Sequence, residues 1–256
     1  MDKENFQPFP NVPKKGVAGT LLFQARLFFD FQVATVHRSL GDFFHARKLG
    51  KVLEVGGGLS PYRHLIKTPN YWSLDPYHLE KEFGYFSKSI KYDGANFPFK
   101  SDSFDILFHT EVMEHIFDTH FFLSECSRVL KKNAPMFFTV PFAARFHYQP
   151  HDYWRFTPSS LRALCISHGF EVSSITPRGD AMVVILNKLM VFALAMSLGG
   201  KSRKPAALLA RIIWIPITAL ALPVLAALGQ LFLRTGWVKN TDDCLGFSVI
   251  CLKSGS

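Results

Sequence analysis

The segment after the fifth predicted strand holds residues suited to acid–base chemistry. It reads His147-Tyr-Gln-Pro-His151-Asp152-Tyr153-Trp-Arg155. An imidazole exchanges a proton near neutral pH, so either histidine can serve as a general base. We rank His151 first and His147 second, with Asp152 orienting the base. Tyr153 and Arg155 are then the expected substrate-binding residues, the arginine for an anionic part of the substrate.

A purely structural role for the same segment is the alternative. Asp152 and Arg155 would pair to fix the loop, while Tyr153, Trp154 and Phe156 pack in the core. No ordered set of metal ligands accompanies the two histidines, so no metal site is predicted.

A second informative stretch, Lys51-Val-Leu-Glu54-Val-Gly56-Gly57-Gly58, places glycines directly behind a short apolar run. It fits neither the dinucleotide pattern G-x-G-x-x-G nor the phosphate loop G-x-x-x-x-G-K-[ST]. An acid inside the strand is a poor neighbour for phosphate and a good one for a cation. Asp75, about 20 residues on, suits ribose hydroxyls. A nucleoside with a positive centre is therefore favoured, and a plain turn beside a buried Glu54 is the alternative.

Strands alternate with helices along the chain, which predicts the α/β class. We expect a Rossmann-like, doubly wound, seven-stranded and mostly parallel sheet, with an apolar helical insertion before the last strand. Ligands of such sheets bind at the carboxyl ends of the strands. The predicted strands cover 52–55, 71–75, 89–93, 104–110, 136–140, 170–175 and 246–252. A helix is expected from the glycine loop through Ile66, and one or two helices from Thr20 to Leu49.

Five motifs occur in a fixed order between about Lys51 and Phe170. They are Glu54-Val-Gly-Gly-Gly58, Leu74-Asp75, Tyr92-Asp93-Gly-Ala-Asn-Phe-Pro-Phe99, Ser103-Phe-Asp105 with Glu111-Val-Met-Glu-His115, and Ser127-Arg-Val-Leu-Lys-Lys-Asn133. This series resembles the class I S-adenosylmethionine-dependent methyltransferases, in a type 11-like, bacterial membrane-associated branch. The segment from Pro150 to Thr157 resembles P-H-D-[YF]-[YW]-R-F-T of the same branch. Ser60 replaces the last glycine of the first motif.

The resemblance implies S-adenosyl-L-methionine as the cofactor. The methionine part would lie near Glu54 and the glycines, the ribose at Asp75 and the adenine at Asp93 and Gly94. The full set of expected cofactor-binding residues is Glu54, Gly56, Gly57, Gly58, Asp75, Pro76, Asp93, Gly94, Thr110 and Glu111.

Two apolar segments, Ala181–Leu198 and Ala206–Leu233, flank a basic linker that contains Lys201, Arg203 and Lys204. If both spanned a bilayer, this linker would lie on the far side, against the positive-inside tendency. We therefore expect a helical pair in the interface at the cytoplasmic face, with basic residues on anionic headgroups. A two-pass hairpin and a buried hairpin or dimer interface are the alternatives.

Composition agrees with one α/β domain and an appendage. The 256 residues are 48% hydrophobic and 19% charged, with a net charge of +9 that suits an anionic surface. The four cysteines are scattered, so buried thiols in a reducing compartment are expected. No cleaved signal peptide is expected. The expected segments are 1–50 (lead and helices), 51–180 (cofactor-binding core), 181–235 (insertion) and 236–256 (last strand).

The resulting hypothesis is a membrane-associated methyltransferase. Its acceptor would be an oxygen, or less favourably a nitrogen or carbon, of a lipid-linked, glycan or other small molecule. A catalytically inactive membrane adaptor with the same fold is the first alternative. A nicotinamide oxidoreductase is a further alternative, but it is disfavoured because the third glycine of the dinucleotide pattern G-x-G-x-x-G is missing. A nucleic-acid methyltransferase would explain the charge but leaves the insertion unexplained, so no nucleic acid is expected as a partner.

Overall fold

Strands and helices alternate along most of this chain. The computed structural model describes residues 16–77, 86, 88–148, 150–198, 205–237 and 241–255. Within those ranges the strands are β1 (Val52–Val55), β2 (Tyr71–Pro76), β3 (Ile90–Tyr92), β4 (Ile106–Thr110), β5 (Pro135–Pro141), β6 (Phe170–Arg178) and β7 (Gly246–Lys253). The α-helices are α1 (Val17–Phe29), α2 (Phe31–His45), α3 (Thr119–Val129), α4 (Pro158–Ser167), α5 (Ala181–Leu198) and α6 (Pro205–Thr235).

The strands form one seven-stranded sheet in the order β3-β2-β1-β4-β5-β7-β6. The pairs from β3 through β5 are parallel, and β7 runs antiparallel to β5. The predicted Rossmann-like, mostly parallel sheet is thus confirmed. The chain starts in the middle at β1, moves outward to β3 and then returns to β4. Such a reversal opens a crevice at the carboxyl ends of β1 and β4, where ligands of open sheets bind.

A buried face of α2 packs on the centre of this sheet. The contact involves β1, β4 and β5, whose inward side chains are aliphatic or aromatic. Phe44 meets Phe108 edge to face with ring centroids 5.2 Å apart, a separation typical of aromatic pairs. Each fully buried side chain of this kind stabilises the fold by roughly 1.5–3 kcal/mol. The cluster holds β1 rigid beneath the glycine turn. Its members are Val36, Leu40, Phe43, Phe44, Val52, Tyr62, Ile66, Ile106, Phe108 and Phe137.

The capping residue Asp118 and the apolar positions that follow it predict a helix that stops near Asn133. Helix α3 begins as predicted, because the Asp118 carboxylate accepts a hydrogen bond from the Phe121 amide at 2.9 Å. It ends at Val129, earlier than the predicted stop. Leu130 leaves the helix because it forms a parallel bridge with Phe104 at the start of β4. Asn133 has the expected left-handed backbone, with φ of 59°.

Helix α4 begins with a reciprocal cap. The Thr157 hydroxyl accepts from the Ser160 amide, the Ser160 hydroxyl accepts from the Thr157 amide, and Pro158 occupies the first turn. Gly169 ends the segment with φ of 75°. This cap fixes the end of the His147–Thr157 segment against the sheet.

The predicted helix after the glycine loop is wrong. The chain forms only a 3-10 turn at Arg63–Leu65. Left-handed residues Gly56, Gly58 and Ser60 use up the first part of the connection, which leaves too few residues for an α-helix before β2. The Arg63 guanidinium then donates to the carbonyl oxygens of Ile66 and Thr68, which closes the turn.

Two compact units divide the chain. One comprises Val36–Thr176 with Gly246–Ser256, and the other Lys15–Thr35 with Pro177–Leu245. All four cysteines are buried and none forms a disulfide, as predicted.

The second unit combines α1, the start of α2, α5 and α6. Phe31 is its central side chain, and its ring occupies the space that a Cβ at Gly229 would need. The Thr218 hydroxyl donates to the Ala193 carbonyl at 3.0 Å, which ties α6 to α5. Both predicted apolar helices are present. By length and composition, Ala181–Leu198 and Arg211–Thr235 are each apolar enough to cross a membrane. The linker residues Lys201, Arg203 and Lys204 lie outside the described residues.

Candidate active site

Glu54 lies inside β1 and is almost fully removed from water, with 1% of the residue exposed. The Tyr71 hydroxyl donates to its Oε2. Its Oε1 is buried and has no hydrogen-bond partner among the described residues. Burial is the main cause that raises the pKa of Glu54 to about 7, against the lowering effect of the Tyr71 hydrogen bond. The group is therefore poised to ionise when a cation or donor approaches.

The turn after β1 requires its glycines. Gly56 and Gly58 have φ of 69° and 54°, a region that other residues rarely adopt. A Cβ at Gly56 would lie 2.7 Å from a Val112 methyl group, and one at Gly57 would lie 2.7 Å from the Glu54 carboxylate. The glycines therefore allow this turn to pack closely against the Val112 and Glu54 side chains.

Asp75 ties the end of β2 to that turn. Its Oδ1 accepts from the Gly58 amide at 2.7 Å, and its Oδ2 accepts from the hydroxyls of Ser73 at 2.9 Å and Ser89 at 2.5 Å. Burial raises the pKa of this carboxyl, although the three donors oppose the shift. Oδ1 holds a single protein donor and retains capacity for a ligand hydroxyl. Pro76 ends the strand directly beside it.

The end of β3 opens on a cavity of about 240 Å³. Asp93 accepts from the Ala95 amide at 2.8 Å, which shapes the turn, and Gly94 has φ of 88°. The lining residues come from both sides of the predicted site and include Tyr92, Gly94, Ala95, Phe97, His115 and Tyr153.

Strand β4 ends at Thr110 and Glu111 follows it directly, as predicted. Glu111 has φ of 53°, and its amide donates to the Thr139 carbonyl at 3.1 Å, which turns the chain away from the sheet. A 3-10 turn at Met113–His115 follows. The left-handed Glu111 thereby directs the next acid, Glu114, into the protein instead of into solvent.

Glu114 is fully buried, and neither carboxyl oxygen has a hydrogen-bond partner in another described residue. The His115 Nε2 lies 3.6 Å from its Oε1. Burial first, and the nearby Glu111 charge second, raise the pKa of Glu114 well above its ordinary value. Burial also lowers the pKa of His115 to about 4, so this imidazole is neutral at neutral pH.

The residues from His147 to Thr157 form what we call the acceptor segment. Asp152 lies at its centre, and the Asp152 side chain is fully buried. It accepts from both terminal nitrogens of Arg155, at 2.6 and 2.8 Å, and from the His147 amide at 2.9 Å. The Nδ1 of His147 lies 3.2 Å from the same carboxylate. These donors and the Arg155 charge hold the pKa of Asp152 below its ordinary value despite burial. Arg155 also donates to the Arg145 carbonyl, so much of its guanidinium holds the loop.

His151 occupies a different place from the one expected. Its Nδ1 lies 3.2 Å from the Tyr153 hydroxyl, and its carbonyl accepts from His115 Nδ1 at 2.7 Å. The Asp152 carboxylate therefore contacts His147, the second-ranked base. His151 contacts the Tyr153 hydroxyl instead. Tyr153 connects His151 to the cavity, since it lines that cavity.

Several site residues were missed from the sequence. Tyr71, Ser73 and Ser89 complete the hydrogen bonds of the two strand-end acids, and nothing in their spacing distinguishes them from ordinary strand residues. Glu114 and His115 were visible, because the Glu111-Val-Met-Glu-His115 motif contains both. The motif therefore indicates that both residues matter. Only the 3-10 turn at Met113–His115 shows that it buries Glu114 and places His115 at the cavity.

The chain matches a known domain over residues 73–138, where the family model is described as a methyltransferase domain. This match covers β2 to β5 and so includes Asp75, Asp93 and Glu111. The matched residues lie in the parallel part of the sheet described above. The chain contains a class I methyltransferase domain. Methyltransferases of this class use S-adenosyl-L-methionine, and the orphan Oε1 of Glu54 beside the glycine turn fits such a ligand.

Several solved structures are similar to this chain, and the first of those described next shares its fold. The proposed methyltransferase of Haloferax volcanii, solved with the Trm112 methyltransferase activator, is 14% identical, with a TM-score of 0.53 over 90% of this chain and 92% of that one. A proposed sarcosine dimethylglycine methyltransferase from Galdieria sulphuraria is 15% identical, with a TM-score of 0.49 over 93% and 88%.

Phosphoethanolamine N-methyltransferase 2 from Haemonchus contortus, in complex with S-adenosyl-L-methionine, is 14% identical, with a TM-score of 0.49 over 93% of this methyltransferase and 57% of that chain. A search of the curated proteins finds no match to the sequence.

Proposed function

We propose that this methyltransferase acts at a membrane surface and methylates an oxygen of a lipid-linked, glycan or other small-molecule acceptor. A nitrogen or carbon acceptor is less favoured. When bound, S-adenosyl-L-methionine supplies an electrophilic methyl group. The rest of the catalytic task belongs to the protein, which must orient the acceptor, exclude water and remove a proton.

The proposed cofactor site uses the carboxyl ends of β1 to β4. Glu54 and the Gly56–Gly58 turn would hold the charged amino-acid end, and Asp75 with Pro76 would meet the ribose. Asp93 and Gly94 would border the adenine. Thr110 and Glu111 would form the floor of the same cleft. The orphan Oε1 of Glu54 and the spare capacity of Asp75 support these roles.

The observation that carries the proposal is the cavity of about 240 Å³. It is lined on one side by Tyr92 and Gly94, at the proposed adenine end, and on the other by His115 and Tyr153, in the acceptor segment. One concave site is therefore shared by Gly94, of the proposed cofactor-binding residues, and Tyr153, of the proposed substrate-binding residues. Such sites commonly bind small molecules and carry a few polar groups.

His151 is the proposed general base. Tyr153 would orient its imidazole through the 3.2 Å contact with Nδ1. An acceptor hydroxyl would lose its proton to this imidazole as the new bond to carbon forms. His147 is the second candidate, oriented by Asp152. In both cases Arg155 would neutralise the Asp152 charge and fix the loop. Arg155 would also contact an anionic part of the acceptor.

The proposed membrane contact rests on the second unit. Large apolar side chains of α1, α5 and α6 are exposed, a pattern that marks an interaction surface in a soluble protein. They are Val17, Leu21, Leu22, Ile185, Leu189, Phe192, Leu198, Ile212, Ile213, Ile215, Leu220 and Val224. A hairpin buried inside the protein would not leave these residues open. We favour attachment from the cytoplasmic face, with an anionic membrane surface as the partner.

Calorimetric titration of the purified full chain tests the cofactor part. We expect saturable binding of S-adenosyl-L-methionine and none of NAD. Absence of S-adenosyl-L-methionine binding by a folded protein would overturn the proposal and favour an inactive adaptor.

Incubation of membranes with labelled S-adenosyl-L-methionine tests the acceptor part. Extraction into lipid, glycan and nucleic-acid fractions should place the label in a lipid or glycan. Label confined to nucleic acid would contradict the proposal and support the nucleic-acid alternative.

A further inference from the structure

The buried turn after β4 and the acceptor segment bring three side chains with metal-ligating atoms together. One ligand atom each from Glu114, His115 and His147 lies within 4.8 Å of the others. More than 30 positions separate His147 from the adjacent pair Glu114 and His115, so the proximity of His147 to that pair arises from the fold. We infer that Glu114, His115 and His147 bind a divalent transition-metal ion beside the acceptor cavity.

The state of Glu114 is the first argument. It is fully buried, and both carboxyl oxygens lack a hydrogen-bond partner in another described residue. A buried carboxylate without partners is costly, and a bound cation is one of the few ligands that removes this cost. A purely structural acid at this position would be expected to receive at least one donor.

The orientation of the histidines is the second argument. The Nδ1 of His115 bonds the His151 carbonyl at 2.7 Å, and the Nδ1 of His147 contacts the Asp152 carboxylate at 3.2 Å and the Arg145 carbonyl at 2.9 Å. Metal-ligating histidines have this arrangement, with one ring nitrogen held by a carboxylate or carbonyl and the other on the ion. Here it assigns Nε2 of each ring as the ligand atom.

Distances are compatible with a small ion. Ligand atoms around a tetrahedral ion lie about 3.4 Å apart when each bond is near 2.1 Å. The Oε1 of Glu114 and the Nε2 of His115 are 3.6 Å apart. The largest separation in the set, 4.8 Å, closes with a side-chain shift of about 1 Å.

The ligand set selects the class of ion. Two imidazoles with one carboxylate suit Zn²⁺, Co²⁺ or Mn²⁺, whereas Mg²⁺ and Ca²⁺ prefer oxygen ligands. Three protein ligands leave a position open, and His115 lines the cavity, so that position can face an acceptor. In the proposed reaction, on which this role rests, a hydroxyl acceptor would coordinate there and release its proton more readily. His151 would remain as the base.

Cobalt titration of the metal-stripped full chain tests the site without an acceptor or cofactor. A second, exposed pair of histidines could bind metal at the surface, because the Nε2 atoms of His37 and His64 are 3.1 Å apart. All proteins should therefore carry His64→Asn. We expect one equivalent of Co²⁺ with visible d–d absorption bands and competition by Zn²⁺ but not by Mg²⁺.

Glu114→Gln keeps the shape of the side chain and should weaken Co²⁺ binding by about tenfold or more. His147→Asn should do the same and serves if the first variant does not fold. His120→Asn, an exposed histidine of α3 outside the set, is the matched control and should bind as the parent does. Asp152→Asn should weaken binding by about 10- to 100-fold by releasing the His147 ring.

Absence of Co²⁺ binding by the folded parent would overturn the inference. So would equal affinity in Glu114→Gln, His147→Asn and the control. A protein that binds S-adenosyl-L-methionine but no metal would refute this site and leave the proposed function intact. A protein that binds the metal but no S-adenosyl-L-methionine would support this site and refute the proposed function.

Discussion

Glu54 combines a hydrogen-bonded oxygen with an orphan one in a buried position. Burial stabilises the protonated acid in the absence of a ligand and raises its pKa to about 7, although the Tyr71 hydrogen bond opposes this shift. A ligand that carries positive charge would reverse that preference. Binding of S-adenosyl-L-methionine near Glu54 should therefore release a proton in the range below pH 7.

The raised pKa of Glu54 predicts a pH-dependent stability. The folded state keeps this proton up to about pH 7, while the unfolded chain loses it near its ordinary value of 4.5. The contribution of this proton to the free energy of unfolding is complete below pH 4.5. It disappears as the pH rises through 7, a loss of about 3 kcal/mol.

Glu54→Gln should remove this part of the decline. Urea unfolding of both proteins from pH 4.5 to pH 8 measures it, and their free-energy difference should change in favour of the variant as the pH rises. Parallel curves would contradict the raised pKa.

The choice of base is also decided at the residue scale. His151→Ala should lower methyl transfer to the identified acceptor by about 10²- to 10⁴-fold, since general bases contribute that much. Its affinity for S-adenosyl-L-methionine should not change. His120→Ala is the control for loss of an exposed imidazole. Full activity of His151→Ala would exclude His151 as the base.

The turn between β1 and β2 depends on backbone geometry more than on helix formation. In the described chain it contains only a 3-10 turn, so an α-helix dipole contributes little to binding there. What remains is a left-handed backbone held by Asp75 and closed by Val112. The element therefore suits a ligand that binds through close contact with main-chain groups.

Gly56→Ala tests this element. The left-handed backbone and the 2.7 Å contact with Val112 should together lower the free energy of unfolding by about 1–2 kcal/mol or more and weaken cofactor binding. Gly41→Ala is the matched control, because a Cβ in that helix meets nothing within 4 Å. It should raise stability by about 0.5–1 kcal/mol. Both are measured by chemical unfolding, and equal effects would contradict the proposed geometry.

At the scale of the whole molecule, a cofactor-binding sheet unit and an apolar helical unit are parts of one chain. The division explains how a 48% hydrophobic chain can still form an ordinary α/β core. The apolar excess lies in the second unit, where much of it is exposed instead of contributing to the core.

Charge placed on the exposed apolar face should abolish membrane association. Ile212→Glu with Leu220→Glu alters side chains that are 69% and 77% exposed, so neither change opens a cavity. In flotation assays this variant should no longer float with anionic vesicles. Its affinity for S-adenosyl-L-methionine should stay unchanged. Ile166→Glu on α4, 59% exposed, is the control and should float as the parent does. Equal flotation of all three proteins would contradict the membrane proposal.

The sequence by itself determined the sheet class, the strand ends and the acids at those ends. These features are local, because strand and helix patterns depend on neighbours within a few residues. Glu54 therefore lies inside β1, Asp75 near the end of β2 and Glu111 directly after β4, as expected. The caps at Asp118 and Thr157 are local for the same reason, because each side chain accepts from an amide three residues along the chain.

Only the tertiary structure decided which side chains meet across the chain. It assigned Asp152 to His147, it joined Glu114 and His115 to the acceptor segment, and it combined α1 with the apolar hairpin. It also removed the helix expected before β2. Each outcome depends on the path of a loop, and a loop path is fixed by left-handed residues and distant hydrogen bonds that leave no periodic signal in the sequence.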